Sequence, residues 1–183
     1  ELADKLAACP LAFEPGSSWT YGASADVLGA VIEVVSGKRL SEFMKEEIFE
    51  PLGMKDTAFW VPKEKQGRLA KSYETVEKEN GGKELVLYTG DNLAVRNDMA
   101  VPPAYEAGGA GLVSTLDDYS RFAAMLLNGG SLEGVQILQP KTVEFFKNGE
   151  LLPAQQDSFR NWVGLEGYSY GNLMRVCKNP SQS

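Results

Sequence analysis

The 183 residues of the chain are 43% hydrophobic and 23% charged, with a formal net charge of −7 at pH 7. This length and composition predict one domain, or slightly more than one, with a substantial core, and they exclude intrinsic disorder. The acidic balance argues against nucleic acid as a partner, because phosphate binding needs a basic surface. No apolar run approaches the roughly 20 residues that cross a bilayer, so no membrane span is predicted.

The sequence contains no histidine and two cysteines, Cys9 and Cys177. A Ser-His-Asp triad, a Cys-His pair and a His- or Cys-rich metal site therefore cannot form within these residues, and no metal or other cofactor is predicted. Free thiols are favoured over a disulfide, because a domain of this size needs no covalent cross-link. Any catalysis would depend on Ser, Tyr, Lys or carboxylate groups.

The chain begins at Glu1 without an initiator Met or a signal-peptide pattern, and it ends in a polar tail over residues 179–183. We expect an excised piece of a longer protein. Any targeting signal would then lie outside this sequence, so the localisation stays open.

Apolar spacing and turn residues divide the first part of the chain into short elements. The predicted helices end at Cys9, run from Ser24 or Asp26 to Ser36, and run from Ser41 to Glu50. Proline after the first and third helices, and glycine after the second, predict where they end. Residues 57–61 predict a short strand, and residues 62–69 predict a charged helical turn.

The second part of the chain begins with a less regular stretch over residues 72–103. Within it, Asn80-Gly81-Gly82 is the strongest hairpin signal, with residues 85–88 as the return strand. Residues 108–114 form a Gly-rich extended segment, and Thr115 with Asp118 predicts the start of a helix. A short helix is predicted through Lys147, and residues 168–176 form the last candidate strand. The buried face predicted for the helix after Thr115 consists of Leu116, Tyr119, Phe122, Ala123 and Leu126.

Three short motifs suggest chemistry but have simpler structural interpretations. Residues 22–26 lack the closing Gly of a G-x-S-x-G nucleophile elbow, so Ser24 is interpreted first as a helix N-cap. Gly109-Ala110-Gly111 lacks the third Gly and the βαβ setting of a dinucleotide fingerprint. Lys141-Thr142-Val143 lacks the Gly of a Lys-Thr-Gly strand and begins a helix. None of the three predicts a site by itself.

Tyr21 lies between a Pro-Gly turn and the helix that begins near Ser24. The positive end of that helix would favour a phenolate. In isolation, Tyr21 is more simply interpreted as a tyrosine packed at a helix entrance. Its neighbours change that interpretation.

Residues 10–21, PLAFEPGSSWTY, and residues 26–37, DVLGAVIEVVSG, resemble the serine β-lactamase-like hydrolases. This superfamily includes class C β-lactamases, D-Ala-D-Ala carboxypeptidases, D-aminopeptidases and family VIII esterases. Residues 48–57 and 108–130 continue the resemblance in the order of the family, which covers most of the chain as far as Phe146.

The resemblance implies a mainly α chain with a few short β strands. Such a chain would be the helical middle part of a β-lactamase/penicillin-binding-protein-like α+β fold that lacks most of the antiparallel sheet. It implies a helical domain over residues 1–167, followed over residues 168–183 by an orphaned strand and a tail that leads to the missing sheet.

The resemblance also implies a serine hydrolase that forms an acyl-enzyme on an ester, amide or β-lactam-type carbonyl of a small-molecule or peptidic substrate. Its Ser-x-x-Lys nucleophile would precede this chain, because no Ser here has a Lys three residues later. Tyr21 matches the tyrosine of the family's Tyr-x-Asn-like motif and is expected to act as general base beside that Lys.

The expected substrate-binding residues are Ala23, Ser24, Gly109 and Ala110. Ala23 replaces the Asn of the motif, which favours ester or D-amino-acid substrates, while Ser24 can supply a polar contact. Gly109 and Ala110 resemble a wall of the substrate pocket. Because no Lys-Thr-Gly or His-x-Gly strand follows, the chain alone is expected to be inactive.

The alternative hypothesis is a non-catalytic helical binding module derived from the same fold. A Ser-x-x-Lys motif in the sequence before Glu1 would distinguish the two. In either case, the face that should pack on the missing sheet would form an apolar patch through which the piece can self-associate.

Overall fold

A computed structural model describes residues 2–90 and 99–182 of the chain. Two compact units are present: unit 1 comprises Glu1–Val27 and Ser120–Ser183, and unit 2 comprises Leu28–Tyr119. The boundary predicted between residues 167 and 168 is a different division, and it stays a prediction. The two terminal residues, and part of the stretch predicted to be irregular, lie outside the described residues.

Helices account for most of the regular structure in the described ranges. They are α1 (Leu2–Ala7), α2 (Ser24–Ser36), α3 (Leu40–Met44), α4 (Glu50–Leu52), α5 (Leu116–Leu127), α6 (Pro140–Lys147) and α7 (Pro153–Val163). A π-helical turn, Lys45–Phe49, joins α3 to α4, and 3-10 turns cover Lys63–Arg68 and Pro180–Gln182. Within residues 2–90 and 99–182, no helix is long and apolar enough to span a membrane.

The strands of the described residues form three separate antiparallel hairpins. They are β1 (Tyr73–Glu77) with β2 (Lys83–Leu87), β3 (Ser131–Leu132) with β4 (Val135–Gln136), and β5 (Tyr168–Gly171) with β6 (Met174–Cys177). The first hairpin turns at the predicted Asn80-Gly81-Gly82, where Gly81 has a φ of +78°. A mainly helical chain with a few short strands is therefore confirmed.

The core of unit 2 surrounds the ring of Phe59, which is 1% exposed. Its other buried apolar side chains are Leu40, Phe49, Leu52, Met54 and Met99. Gly111 passes close to this ring, because a Cβ built on it would lie 2.7 Å from both Phe59 Cδ1 and the Ala107 carbonyl oxygen. Backbone hydrogen bonds of 3.1 and 2.9 Å between Ala58 and Val113 hold the Gly-rich segment there.

Two buried carboxylates hold loops of unit 2 in place. Glu106 accepts hydrogen bonds from the N–H and hydroxyl of Ser41, at 2.7 and 2.8 Å, and pairs with Arg39 at 2.8 Å. Asp118 accepts a hydrogen bond from the Thr57 hydroxyl at 2.8 Å. A buried carboxylate without such donors would be strongly destabilising, so these contacts allow both charges to lie inside the unit.

Unit 1 packs around Phe159 and Met125, which are both 0% exposed, and Val143, which is 2% exposed. The β5–β6 hairpin joins this core through a buried hydroxyl. The Leu151 N–H donates to Ser169 Oγ at 2.9 Å, so the segment before α7 is tied to the strand that follows it.

The helix predicted after Thr115 is confirmed as α5, and the Asp118 N–H donates to Thr115 Oγ1 at 3.2 Å. Its predicted buried face is wrong in part, because Leu116 and Tyr119 are 85% and 63% exposed and Ala123 is exposed as well. Asp118 and Met125 are buried instead. They are seven positions apart and so project from the same side of the helix, and donors such as the Thr57 hydroxyl account for the burial of Asp118.

Two predictions in the first part of the chain need correction. Residues 57–61 form no strand, and a single isolated bridge joins Ala58 to Val113. The helix predicted to stop at Glu50 continues through Pro51 to Leu52, after the π-helical turn, and Gly53 with a φ of +68° follows its last residue.

Two predictions in the last part also differ from the structure. Residues 168–176 form a hairpin rather than one strand, and its turn places Asn172 and Leu173 at φ of +52° and +61°. The helix α7 was not predicted, although Pro153 begins it and the Leu152 N–H donates to Gln155 Oε1 at 3.0 Å. These are the sequence signals of a helix start.

Candidate active site

Tyr21 lies in unit 1, immediately before α2, and its side chain is 63% exposed. The phenol ring stacks on the indole of Trp162 in α7, with ring centroids 5.1 Å apart and planes 10° from parallel. The predicted general base is therefore exposed to solvent on one side and supported by an aromatic ring on the other.

Trp19, two residues earlier, is the centre of an aromatic cluster. Its ring contacts Phe159 at 4.9 Å, Tyr170 at 5.3 Å and Trp162 at 5.5 Å between centroids, each in an edge arrangement. Edge contacts of this kind are favourable geometries for aromatic pairs. The cluster joins the segment that carries Tyr21 to both α7 and β5.

Tyr170 is the second phenol near Tyr21. Burial raises the pKa of the Tyr170 phenol, charge on Tyr21 raises it further, and Arg175 partly opposes both effects. Tyr170 is thus held in its neutral form over a wider pH range than a free tyrosine. The chemistry of this part of unit 1 consequently points to Tyr21, which is the more exposed of the two tyrosines.

Ala23 and Ser24 form the start of α2. The Val27 N–H donates to the Ala23 carbonyl oxygen at 3.0 Å, which makes Ala23 the N-cap and places Ser24 in the first helical turn. The interpretation of Ser24 as the N-cap is therefore wrong by one residue. Ala23 is half-buried and Ser24 is exposed.

Gly109 and Ala110 lie in unit 2, in a turn whose residues are exposed. This turn follows Glu106, which α3 anchors, and it is closed by the Gly111 N–H donating to the Ala107 carbonyl at 3.0 Å. Tyr21, Ala23 and Ser24 are thus grouped within unit 1, and Gly109 and Ala110 within unit 2. The joining of these two groups into one pocket stays a prediction.

A separate cleft of about 410 Å³ lies within unit 2 and was not predicted. Its lining includes Trp60, Lys65, Arg68 and Ser114. Asp56 pairs there with Lys65 at 2.6 Å and Arg68 at 2.8 Å, and these hydrogen bonds lower the pKa of Asp56 to about 2. The two basic groups are therefore already neutralised by a carboxylate of the same cleft.

Cys9 and Cys177 are free, exposed thiols in unit 1. Over residues 2–90 and 99–182, no cluster of three or more His, Cys, Asp or Glu side chains is arranged to hold a metal ion.

A profile of the Beta-lactamase family matches residues 1–171. The chain therefore belongs to the Beta-lactamase family, and the resemblance found in its sequence is confirmed. With this assignment, the helical architecture is that of part of a β-lactamase-like fold.

Relatives of the chain include proteins named as esterases. It is 32% identical to Protein Rv1367c of Mycobacterium tuberculosis over 97% of its own length and 42% of the relative. It is 38% identical to Esterase EstB of Burkholderia gladioli over 70% of its own length and 34% of the relative. The chain thus spans less than half the length of these relatives.

Solved structures share the fold. EstCE1, described as a hydrolase with promiscuous acyltransferase activity, is similar with a TM-score of 0.69 and 26% identity over 97% of this chain and 45% of that protein. Simvastatin synthase (LovD) from Aspergillus terreus also has a TM-score of 0.69, at 23% identity over 96% of this chain and 45% of that protein. The second likeness concerns the fold alone.

Proposed function

We propose that the chain is part of a serine hydrolase that forms an acyl-enzyme on an ester, amide or β-lactam-type carbonyl of a small-molecule or peptidic substrate. The observation that carries this proposal is the exposed Tyr21 phenol, supported by Trp162 directly before α2. Membership of the Beta-lactamase family supports it. The names of EstB and EstCE1, an esterase and a hydrolase with acyltransferase activity, favour esters among the three substrate classes.

In the proposed reaction, a serine oxygen attacks the carbonyl carbon while Tyr21 accepts the serine proton. The bond to the leaving group then breaks, and Tyr21 returns the proton to the departing oxygen or nitrogen. Water then attacks the acyl-enzyme and gives up a proton to Tyr21, which returns that proton to the serine oxygen as the acyl–oxygen bond breaks and the acid leaves. The nucleophile would belong to a Ser-x-x-Lys motif of a longer protein, since these 183 residues contain none. A lysine ammonium beside a phenol favours the ionised form that this base requires.

The other predicted residues would shape the site around that carbonyl. Ala23 brings no side-chain amide to the substrate, which suits an ester better than a peptide, and Ser24 offers an exposed hydroxyl one residue away. The exposed turn of Gly109 and Ala110 would form a wall of the pocket. The proposal thus includes all four of these residues as substrate-binding residues.

The test is the reaction of the full-length protein with a fluorophosphonate probe, followed by intact-mass analysis. One label per molecule, on the serine of a Ser-x-x-Lys motif, is the expected result. The 183-residue chain, treated in parallel, is expected to stay unlabelled. Labelling of the isolated chain would contradict the proposal and make Ser24 the first serine to examine.

The alternative function is a helical binding module without catalysis. The absence of Ser-x-x-Lys from these residues is the observation that keeps it open. A full-length protein that lacks this motif, takes up no probe and hydrolyses no ester would establish the alternative.

A further inference from the structure

One face of α7 meets the segment that leads to Tyr21. The face presents Gln155, Ser158, Phe159 and Trp162, and the opposing residues are Gly16, Ser18, Trp19 and Tyr21. The four helical positions follow the i, i+3, i+4, i+7 spacing of a single helix face. They contact the segment in the same order along the chain, so one face of α7 supports the segment along its length.

The first contacts fix the backbone before Tyr21. Gln155 Nε2 donates to the Gly16 carbonyl oxygen at 2.7 Å. The hydroxyls of Ser18 and Ser158 lie 2.8 Å apart and share a hydrogen bond. The segment is therefore attached to α7 at two points within the five residues that precede Tyr21.

The next contact supplies the packing. The Trp19 ring meets Phe159 at a centroid distance of 4.9 Å, and Phe159 is fully buried in the core of unit 1. Trp162, three residues later in α7, is not buried in this core and is 57% exposed. The indole of Trp162 contacts the rings of Trp19 and Tyr21.

The Tyr21 ring lies against the indole of Trp162. The two rings lie 10° from parallel, and the same indole contacts Trp19 in an edge arrangement. An exposed tyrosine without such support samples several side-chain rotamers. The stack favours those rotamers of Tyr21 in which the phenol lies flat on the indole of Trp162.

We propose that Trp162 is a positioning residue for Tyr21, an inference that rests on the proposed function. A general base must lie within about 2.6–3.2 Å of the proton that it accepts. Loss of the stack leaves the phenol present but misplaced for part of the time. The loss should therefore lower kcat, while the affinity for substrate, expressed in KM, stays nearly constant.

The experiment compares three variants of the full-length protein in hydrolysis of a p-nitrophenyl ester. Trp162→Ala removes the ring, Trp162→Leu keeps apolar bulk without a flat surface, and Trp162→Phe restores a ring. We expect roughly 10- to 100-fold lower kcat for Ala and Leu, with KM within about 2-fold, and recovery of most of the rate in Phe. Phe145→Ala, at an aromatic residue of α6 that is 64% exposed, is the matched control and should leave both constants unchanged.

A second measurement is independent of activity. Hydrogen exchange of the backbone amides over residues 16–23 should accelerate in Trp162→Ala and Trp162→Leu, and it should stay at the wild-type rate in Phe145→Ala. A protein that takes up no fluorophosphonate probe and hydrolyses no ester, amide or β-lactam, yet shows this acceleration, would refute the proposed function and leave Trp162 as a structural support of the Tyr21 segment. An active protein whose Trp162 variants keep their kcat, or change KM alone, would refute the positioning role and retain the function. Unchanged hydrogen exchange in both Trp162→Ala and Trp162→Leu would also refute the positioning role.

Discussion

At the scale of single residues, Tyr21 combines exposure with restraint. Its ring is 63% exposed and stacks on Trp162, so the hydroxyl is accessible while the ring is held. A tyrosine packed only to close a helix entrance would be expected to bury more of its ring. This combination is what supports Tyr21 as the proposed base.

We expect Tyr21→Phe to lower kcat of the full-length protein by roughly 10²- to 10⁴-fold, the usual contribution of a general base. The ring and its stack are kept, so the melting temperature should change little. Ester hydrolysis under saturating substrate provides the measurement. Tyr73→Phe, at a tyrosine of β1 that is 59% exposed, is the control. An unchanged rate in Tyr21→Phe would remove this residue from the mechanism.

Asp56 gives a second prediction at the residue scale. Hydrogen bonds from Arg68 and Lys65 lower its pKa to about 2 in the folded protein, below the value near 3.9 of an unfolded chain. The folded state therefore binds this proton more weakly, and the stabilisation is present above about pH 4 and is lost as the pH falls through 2.

The measurement is urea unfolding of the full-length protein and its Asp56→Asn variant at a series of pH values. Wild type should be the more stable at pH 6, and the difference should shrink between pH 4 and pH 2. Asp157→Asn is the control, because Asp157 is exposed and its pairing with Arg160 is long at 3.4 Å. A difference that stays constant from pH 6 to pH 2 would contradict the assigned pairing.

At the scale of elements, the Gly-rich segment shows how tertiary contacts select the local backbone. Gly111 is required because no side chain fits between the Phe59 ring and the Ala107 carbonyl. The sequence suggested close approach of other backbone at this segment, but it could not identify Phe59 as the neighbour.

Gly111→Ala should lower the free energy of unfolding by about 1–3 kcal/mol, because the new Cβ forces ring and carbonyl apart. Gly67→Ala is a matched control in the 3-10 turn, where a Cβ would meet nothing within 4 Å. This control is expected to be neutral or slightly stabilising. Chemical denaturation of both variants provides the comparison, and equal stability of the two would argue against the close packing at Gly111.

Elements with local signals could be predicted from the sequence, whereas those fixed by distant partners could not. The Asn80-Gly81-Gly82 turn and the Thr115 cap depend on residues within four positions. The buried face of α5 depends on donors to Asp118 some 60 residues away, as in the Thr57 bond. The candidate site divides in the same way. Tyr21 was predicted from its motif, whereas Trp162 is 141 positions away in the sequence, and only the ring contact in the structure shows that the two are neighbours.

At the scale of the whole molecule, α2 exposes apolar side chains beyond what a free surface usually carries. The exposed apolar residues of α2 that lie within unit 2 are Leu28, Val31, Val34 and Val35. Val34 and Val35 are 84% and 81% exposed. In the proposed full-length protein, such a face would be covered.

We therefore expect the 183-residue chain alone to self-associate as its concentration rises. Paired Val34→Lys and Val35→Lys substitutions should restore a single monomeric species in sedimentation velocity, because two charges oppose burial of the face. Val76→Lys with Leu85→Lys, on the β1–β2 hairpin, is the control pair. Association that persists in the α2 variant and disappears in the control would assign the contact to the hairpin instead.

The division into a continuous unit 2 and a discontinuous unit 1 also has a consequence for synthesis on the ribosome. Unit 2 is complete once residue 119 has emerged, whereas unit 1 needs residues from both ends of the chain. Translation at about 5–20 residues per second would leave the Tyr21 segment waiting roughly 7–30 s for α7. The proposed base is thus among the last parts of the chain to reach its native surroundings, after its indole support has been made.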